Sequence, residues 1–378
     1  MALTNFAALT NEQLTLWSRT LWKQARVSSF LTRFMGEGPD SMIQRVTELK
    51  KDQKGSRAVL TLLADLAGDG VAGDRQLEGN EEAMRTFDQV IRIDQLRHAT
   101  RHLGRMADQK SVVEFRRNAR DVLSYWHADR QSQLAFLTMS GVDYSMQNNG
   151  APRVGSDLVN LEFAADVKPL TSNRRLRWNG TAKTLESNGA TTSVATADTP
   201  TWEMFIQAKA WARTQRIRGV MDRGEEVYHC FLSPLAMAKL KMDDDYMANL
   251  RSAQERGDKN PLFTGSTVRI DNLYIHDYMY TFNTSGASGA TAIAGGGALH
   301  SKWGSSGDID GCQILFCGAQ AMGYADIGNP YWDEEGYDYS NSQGIAVGKT
   351  SGFLNPQFMS PVTGAVENHG MFSVYTAQ

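Results

Sequence analysis

Gly68-Asp69-Gly70-Val71-Ala72-Gly73 spells a G-x-G-x-x-G string after a β-like run. In a dinucleotide fold such glycines let backbone amides approach a pyrophosphate at a helix start. Here Asp69 and Asp74 would set negative charge against the phosphates, and Gly79 breaks the helix that should follow. No further βαβ units come downstream, so these residues read as a loop tip. A dinucleotide-dependent oxidoreductase using Gly68–Gly73 stands as the weaker alternative. The second string, Gly344-Ile345-Ala346-Val347-Gly348-Lys349-Thr350, imitates a phosphate-cradling loop with three residues between its glycines where four are needed. Gly352 and Pro356 also forbid the helix whose N-terminus would hold the phosphate.

The ionisable residues offer little more. His98 and His102 are spaced i, i+4 but have no glutamate in the H-E-x-x-H position. His127, between Trp126 and Asp129, reads as a structural histidine. Asp243, Asp244 and Asp245 lack the alternation and central glycine of a calcium loop and read as a solvated helix start. Arg256-Gly257-Asp258 reads as a helix-ending turn, and Lys209, Arg213, Arg216 and Arg218 as a solvated basic helix face. Neither a G-x-S-x-G elbow nor a Cys–His pair in catalytic context is present. The expectation is a structural protein, with no enzyme activity, no cofactor and no metal.

Composition narrows the class further. A chain of 378 residues with net charge −3 is long enough for two or three packed units and too acidic for a dedicated nucleic-acid binder. Residues 1–140 carry 20 Lys+Arg against 17 Asp+Glu, and residues 301–378 carry 2 against 8. A basic front and an acidic tail can attract each other within one molecule or between neighbours. Cys230, Cys312 and Cys317 have no CxxC spacing, and the last two would face opposite sides of a strand, which fits a reducing compartment. With no apolar signal core and no membrane-length run, the expectation is a protein made in the cytosol.

The element around which the chain is organised is a helix over 108–141. Val112, Phe115, Ala119, Val122, Trp126, Leu134 and Leu137 follow three-and-four spacing, Ser111 with Glu114 forms a capping box, and Gly141 supplies the stop. A rod of roughly 45–50 Å needs several surfaces to lie on. Residues 1–40 read as an arm with a capped helix carrying Trp17 and Trp22. Residues 42–104 read as a long two-stranded excursion, with strands around Val59–Leu63 and Val90–Ile93 and a polar tip from Gly68 to Glu82. A hairpin so wide at its tip buries little of itself and must lean on something else. Strand-like pieces follow at Leu158–Phe163 and Arg175–Trp178. Thr199 and Pro200 open a helix running to Gly219; then come a strand at Val227–Leu232, a helical pair over Pro234–Arg256 and a β-run over Val268–Phe282. Thr284–Gly307 reads as a mobile loop, Ile314–Phe316 as a buried strand, and the rest as an acidic, aromatic, turn-rich tail.

Taken in order, these segments resemble the major capsid proteins of tailed bacteriophages with the Hong Kong 97-type fold, within the coat-protein family of podophages and their relatives. The resemblance rests on Gly68-Asp69-Gly70-Val71 with Leu77-Glu78-Gly79-Asn80-Glu81-Glu82 for an extended loop. Arg117–Asp121 and Trp126–Arg130 resemble a spine helix, and Asn260–Gly265 with Tyr274-Ile275-His276 an axial domain. Gly318–Ala321 and Asp338-Tyr339 match a return to the peripheral domain. Leu232-Ser233-Pro234 stands where the family pattern has a His-Pro turn. The resemblance implies an α+β fold with an N-terminal arm (1–41), an extended β-hairpin loop (42–106), spine helix and peripheral domain (107–200), axial domain (201–307) and peripheral return (308–378). It implies self-assembly into hexamers and pentamers of an icosahedral head in the virion, enclosing double-stranded DNA contacted non-specifically. Scaffolding, portal and decoration proteins would be further partners, and no membrane would be involved. Absence of a long pro-segment points to a separate scaffolding protein. Trp17, Trp22, Asp69, Asp74, Arg75, Glu78, Glu81, Glu82, Arg116, Arg117, Asp333, Glu334 and Glu335 become candidate inter-subunit contacts. An encapsulin-like nanocompartment shell shares the fold and is the alternative within the structural class.

Overall fold

The computed structural model describes residues 29–47, 57–63, 70–79, 81, 86–110, 115–187, 189–253, 268–288 and 301–378. Its strands are β1 (Met35–Gly36), β2 (Ile43–Val46), β3 (Arg57–Leu63), β4 (Thr86–Arg92), β5 (Asp94–Arg101), β6 (Arg175–Asn179), β7 (Thr184–Ser187), β8 (Val220–Asp222) and β9 (Glu225–Leu232). The later ones are β10 (Val268–Ile270), β11 (Leu273–Asp277), β12 (Gly311–Cys317), β13 (Met322–Tyr337), β14 (Ser342–Leu354), β15 (Gln357–Met359), β16 (Val366–Asn368) and β17 (Met371–Ala377). Helices are α1 (Arg105–Lys110), α2 (Phe115–Ser140), α3 (Trp202–Thr214), α4 (Pro234–Met242) and α5 (Asp244–Ala253).

Among the described residues, one sheet runs β10-β11-β9-β12-β17-β6-β7, with β8 joined to β9. Its central strands β12 and β17 are buried along their whole length, so successive side chains enter different cores. Cys312, Ile314 and Phe316 join α3 and α4 on one face; Leu315 and Cys317 join the end of α2 on the other. The opposite-face expectation for Cys312 and Cys317 holds, and both are free thiols. A second sheet runs β1-β2-β13-β14-β5.

Helix α2 lies on both sheets. Phe115, Ala119 and Leu123 pack on Trp332, Ile345 and Val347 of the second sheet, and Leu134, Phe136, Leu137 and Met139 enter the core of the first. At 26 residues it is roughly 39 Å long. The Ser111–Glu114 capping box lies outside the described residues. The C-terminal stop is a Schellman motif: Val142 N donates to Leu137 O at 3.0 Å and Gly141 N to Thr138 O at 3.1 Å. Gly141 has φ +68°, and a Cβ there would stand 2.5 Å from Lys168 O, so glycine is required twice over.

Several expectations need correction. The excursion is narrower than 42–104: β2 and β5 belong to the second sheet, and β3 with β4 alone form the two-stranded ribbon. Leu158–Phe163 is not a strand but parts of two 3-10 turns (Asp157–Asn160 and Glu162–Asp166), the first capped by Ser156 Oγ. Helix α3 starts at Trp202 and stops at Thr214; its first amide donates to Asp243 Oδ2 at 3.0 Å, so one of the three clustered aspartates closes a different helix. The β-run after Val268 is broken by Asp271 and Asn272, both at positive φ, and ends at Asp277. Within 284–307, Trp303 is buried and bridges Ile309, so this part of the expected mobile loop is core. The turn-rich tail is in fact β13 and β14, paired antiparallel through a register shift between Ile327 and Tyr331.

Candidate functional site

The candidate contact residues fall into three places. Trp17, Trp22, Asp69 and Glu82, with the arm helix and the Arg256-Gly257-Asp258 string, lie outside the described residues. Asp74, Arg75, Glu78 and Glu81 sit on the hairpin tip and are exposed. The tip turns on Gly70, Gly73 and Gly79, all at positive φ and all with open space where a Cβ would go. Gly79 N donates to Glu81 Oε2 at 2.7 Å, so that carboxylate caps the tip's own turn. Among the described tip residues no helix follows the glycines, as the strand-to-helix cradle of a dinucleotide site needs.

The third place is the far end of β13. Arg116 at the start of α2 makes a bidentate pair with Glu334, Nε–Oε1 2.9 Å and Nη2–Oε2 2.8 Å, and Trp332 Nε1 donates to the same Oε1 at 2.7 Å. Basic front and acidic tail therefore meet within one chain at this pair, which pins α2 to the second sheet. Asp333 and Glu335 alternate with Glu334 and are exposed; Glu335 accepts from Tyr337 Oη at 2.9 Å. Arg117 is exposed as well. The structure brings Arg116 and Glu334 together and leaves Arg117, Asp333, Glu335 and the tip residues facing solvent.

Sequence reasoning missed the ionic cluster beneath α2. Lys349, from the rejected phosphate-loop string, lies on β14 with its side chain 0 % exposed, its Nζ 2.6 Å from Asp326 Oδ1 on β13. Arg45 Nε on β2 reaches Asp326 Oδ2 at 2.7 Å. One carboxylate thus ties three neighbouring strands. Burial, then the positive charge of Lys349, holds His127 on α2 neutral, its pKa lowered to about 3 against a smaller opposing pull from Asp326. A lone Asp in the apolar run Met322–Ile327 was the available signal. Buried charges are paired, so its partner had to be sought among the lysines and arginines.

A second missed pair is His229 with His276. Nδ1 and Nε2 are 3.0 Å apart, beneath Phe34 and beside Tyr274. Burial lowers His229 to about 4; burial, with the neighbouring His229 and Arg33, lowers His276 to about 3. His98 stacks on Trp126 at 4.5 Å, and His102 Nε2 accepts from Gln343 N at 3.1 Å. No group of three or more potential metal ligands occurs among the described residues.

A mixed fold of two sheets crossed by one long helix, with an outstanding acidic hairpin, has clear relatives. The family model for phage capsid protein matches residues 5–378. The chain belongs to the phage capsid protein family. The major capsid protein of Pseudomonas phage KPP25 is 55 % identical over 377 residues, 99 % of this chain and 97 % of that protein. The capsid of Ralstonia phage GP4 superposes with a TM-score of 0.73 at 24 % identity, over 92 % of this chain and 91 % of that one. The capsid subunit of cyanophage Pam1 does so with 0.68 at 14 % identity, over 100 % and 96 %. The fold is the Hong Kong 97 type. At the level of family the work of the chain is structural: as a virion component it assembles with copies of itself into the icosahedral head of a phage. None of these relatives supports the nanocompartment or the oxidoreductase alternative.

Proposed function

We propose that each copy contributes an arm, an extended loop and two domains to a double-stranded DNA phage head, with no catalytic step. Residues 1–41 act as an arm, and within 42–106 the β3–β4 ribbon acts as the extended loop. Residues 107–200 with 308–378 make the peripheral domain, and 201–307 the axial domain of hexamers and pentamers. The exposed candidates Asp74, Arg75, Glu78, Glu81, Arg117, Asp333 and Glu335 are contacts between subunits, together with Trp17, Trp22, Asp69 and Glu82. Scaffolding protein guides closure, a portal occupies one vertex, decoration proteins bind outside, and packaged DNA is held without sequence preference. A net charge of −3 supports containment without tight gripping.

The observation that carries this reading is the β3–β4 hairpin. Its base packs on its own subunit, while its tip, with Val71, Ala72 and Leu77 as its few apolar residues, offers that subunit nothing to bury. Deleting the tip, residues 68–82, and closing the ribbon with Asn-Gly tests it. Monomer thermal unfolding should barely move, because shortening a loop changes closure entropy by about 1 kcal/mol or less. Shell yield by sedimentation should collapse, since the same contact is lost from every copy. Normal shells from the deleted chain would remove the tip from the assembly surface.

A further inference from the structure

A groove of about 680 Å³ opens between β5, α2 and the loop following Gln147. Its wall carries the stacked His98–Trp126 pair and its rim Val154, which is 94 % exposed. Three guanidiniums line it: Arg97, Arg130 and Arg153. Two of them converge on one neutral oxygen. Arg130 Nη1 donates to Gln133 Oε1 at 2.8 Å and Arg153 Nη2 to the same atom at 3.2 Å, while Arg153 Nε is held by Met146 O at 2.8 Å. Among the described residues none of the three has a carboxylate within ion-pair distance, and burial, then the charge of Arg130, lowers the pKa of the half-buried Arg153. Of the two acids in the lining, Asp94 accepts from the backbone amides of Gln95 and Glu162, and Asp157 stands exposed in the first turn of its 3-10 turn. Asp129 meets the two converging arginines only through Gln133, whose Nε2 donates to its Oδ2 at 3.0 Å, so the groove holds its guanidiniums without a directly paired carboxylate among the described residues.

The chain also carries the complement. Residues 69–82 hold five carboxylates against one arginine, on a glycine-turned tip whose described residues other than Val71 are all exposed. We propose that the Arg97–Arg130–Arg153 groove receives the acidic hairpin tip of a second copy, with tip carboxylates supplying the missing counter-charges. It rests on the reading of the hairpin as an inter-subunit arm and adds the surface on which that arm lands.

Disulfide trapping is the direct test, since the native Cys230, Cys312 and Cys317 are all buried. The full chain bearing Glu78→Cys with Val154→Cys, both exposed positions, is assembled and mildly oxidised. A non-reducing gel should show a ladder of linked subunits that either single cysteine fails to give. A parallel charge exchange uses Arg130→Glu with Arg153→Glu, which should cut shell yield at least tenfold, and Glu78→Arg with Glu81→Arg, which should do the same. The chain carrying all four should recover most of the parental yield. Shells from the cysteine chain with no ladder, or only an internally linked monomer, would overturn the proposal while leaving the arm reading intact. Failure of the parental chain to form shells under any condition would instead strike the reading beneath it. If the glutamate variant closes normal shells that have lost packaged DNA, the groove serves phosphates and the tip assignment is wrong.

Discussion

At its base the β3–β4 hairpin buries Leu60 and Ile91 against Ala325 and Phe358; at its tip every described residue except Val71 is exposed. One continuous ribbon thus serves two equilibria. Apolar area at the base is withdrawn from water when the single chain folds, at about 25 cal/mol per Å². The tip removes nothing from water until another molecule arrives. Substitutions at the base should therefore be visible in the monomer and those at the tip only in the shell.

The largest monomer effect is expected at Asp326, the residue after the Ala325 on which the hairpin base rests. Asp326→Ala leaves Arg45 and Lys349 without the carboxylate that both engage, and breaking such a buried pair costs about 3–5 kcal/mol. Denaturant unfolding should show that drop; a change under 1 kcal/mol would mean that the cluster is solvated on the native side. Next comes Leu60→Ala at the base itself, 1 % exposed, for which a loss of about 2–4 kcal/mol is expected by the same measurement.

Acid acts on the buried side as well. His127 has its pKa depressed to about 3 in the folded chain, against 6.5 when unfolded, so between these values the unfolded chain binds more protons. Stability contributed by the neutral imidazole is complete above pH 6.5 and drains away as pH falls toward 3. At pH 5 the loss from this one group is about 2 kcal/mol. His127→Gln should take about 2 kcal/mol off the difference between unfolding curves at pH 7 and pH 5, leaving the part due to His229 and His276. An unchanged slope would show that the imidazole is already protonated when folded. The smallest effect belongs to the tip: Glu78→Ala should shift monomer stability by no more than about 0.5 kcal/mol, while shell yield falls measurably.

How much of this was readable in advance depended on what each residue answers to. The spine helix was legible because Ala119, Trp126, Leu134 and Leu137 obey a local period. β13 and β14 were not, because their glycines imitate turns. Gly348 is there so that the Tyr331 phenol can cross the space a Cβ would fill, and Gly352 so that Arg92 O can occupy the place of one. Neither cause is local, and single-chain periodicity cannot carry it. The 3-10 turns at Leu158–Phe163 were masked by an alternation that Ser156 and Asp94 override with side-chain hydrogen bonds to the backbone. Of the contact candidates, charge alone picked out Arg116 and Glu334, which proved to be partners of each other. The Arg130–Arg153 convergence needed Gln133 in three dimensions.

One feature of the first sheet bears on how a ribosome delivers this protein. β17 (Met371–Ala377) sits between β12 and β6, and it pairs in parallel with Arg175–Arg177, some two hundred residues earlier in the sequence. Synthesis proceeds from the N-terminus, so β6 waits with its edge open through most of translation, and the cores on both faces stay incomplete until residues 371–377 emerge. Such long-range closure is slow. For a chain bound to polymerise at high local concentration it also imposes an order: only a sheet into which residues 371–377 have threaded can enter a growing particle.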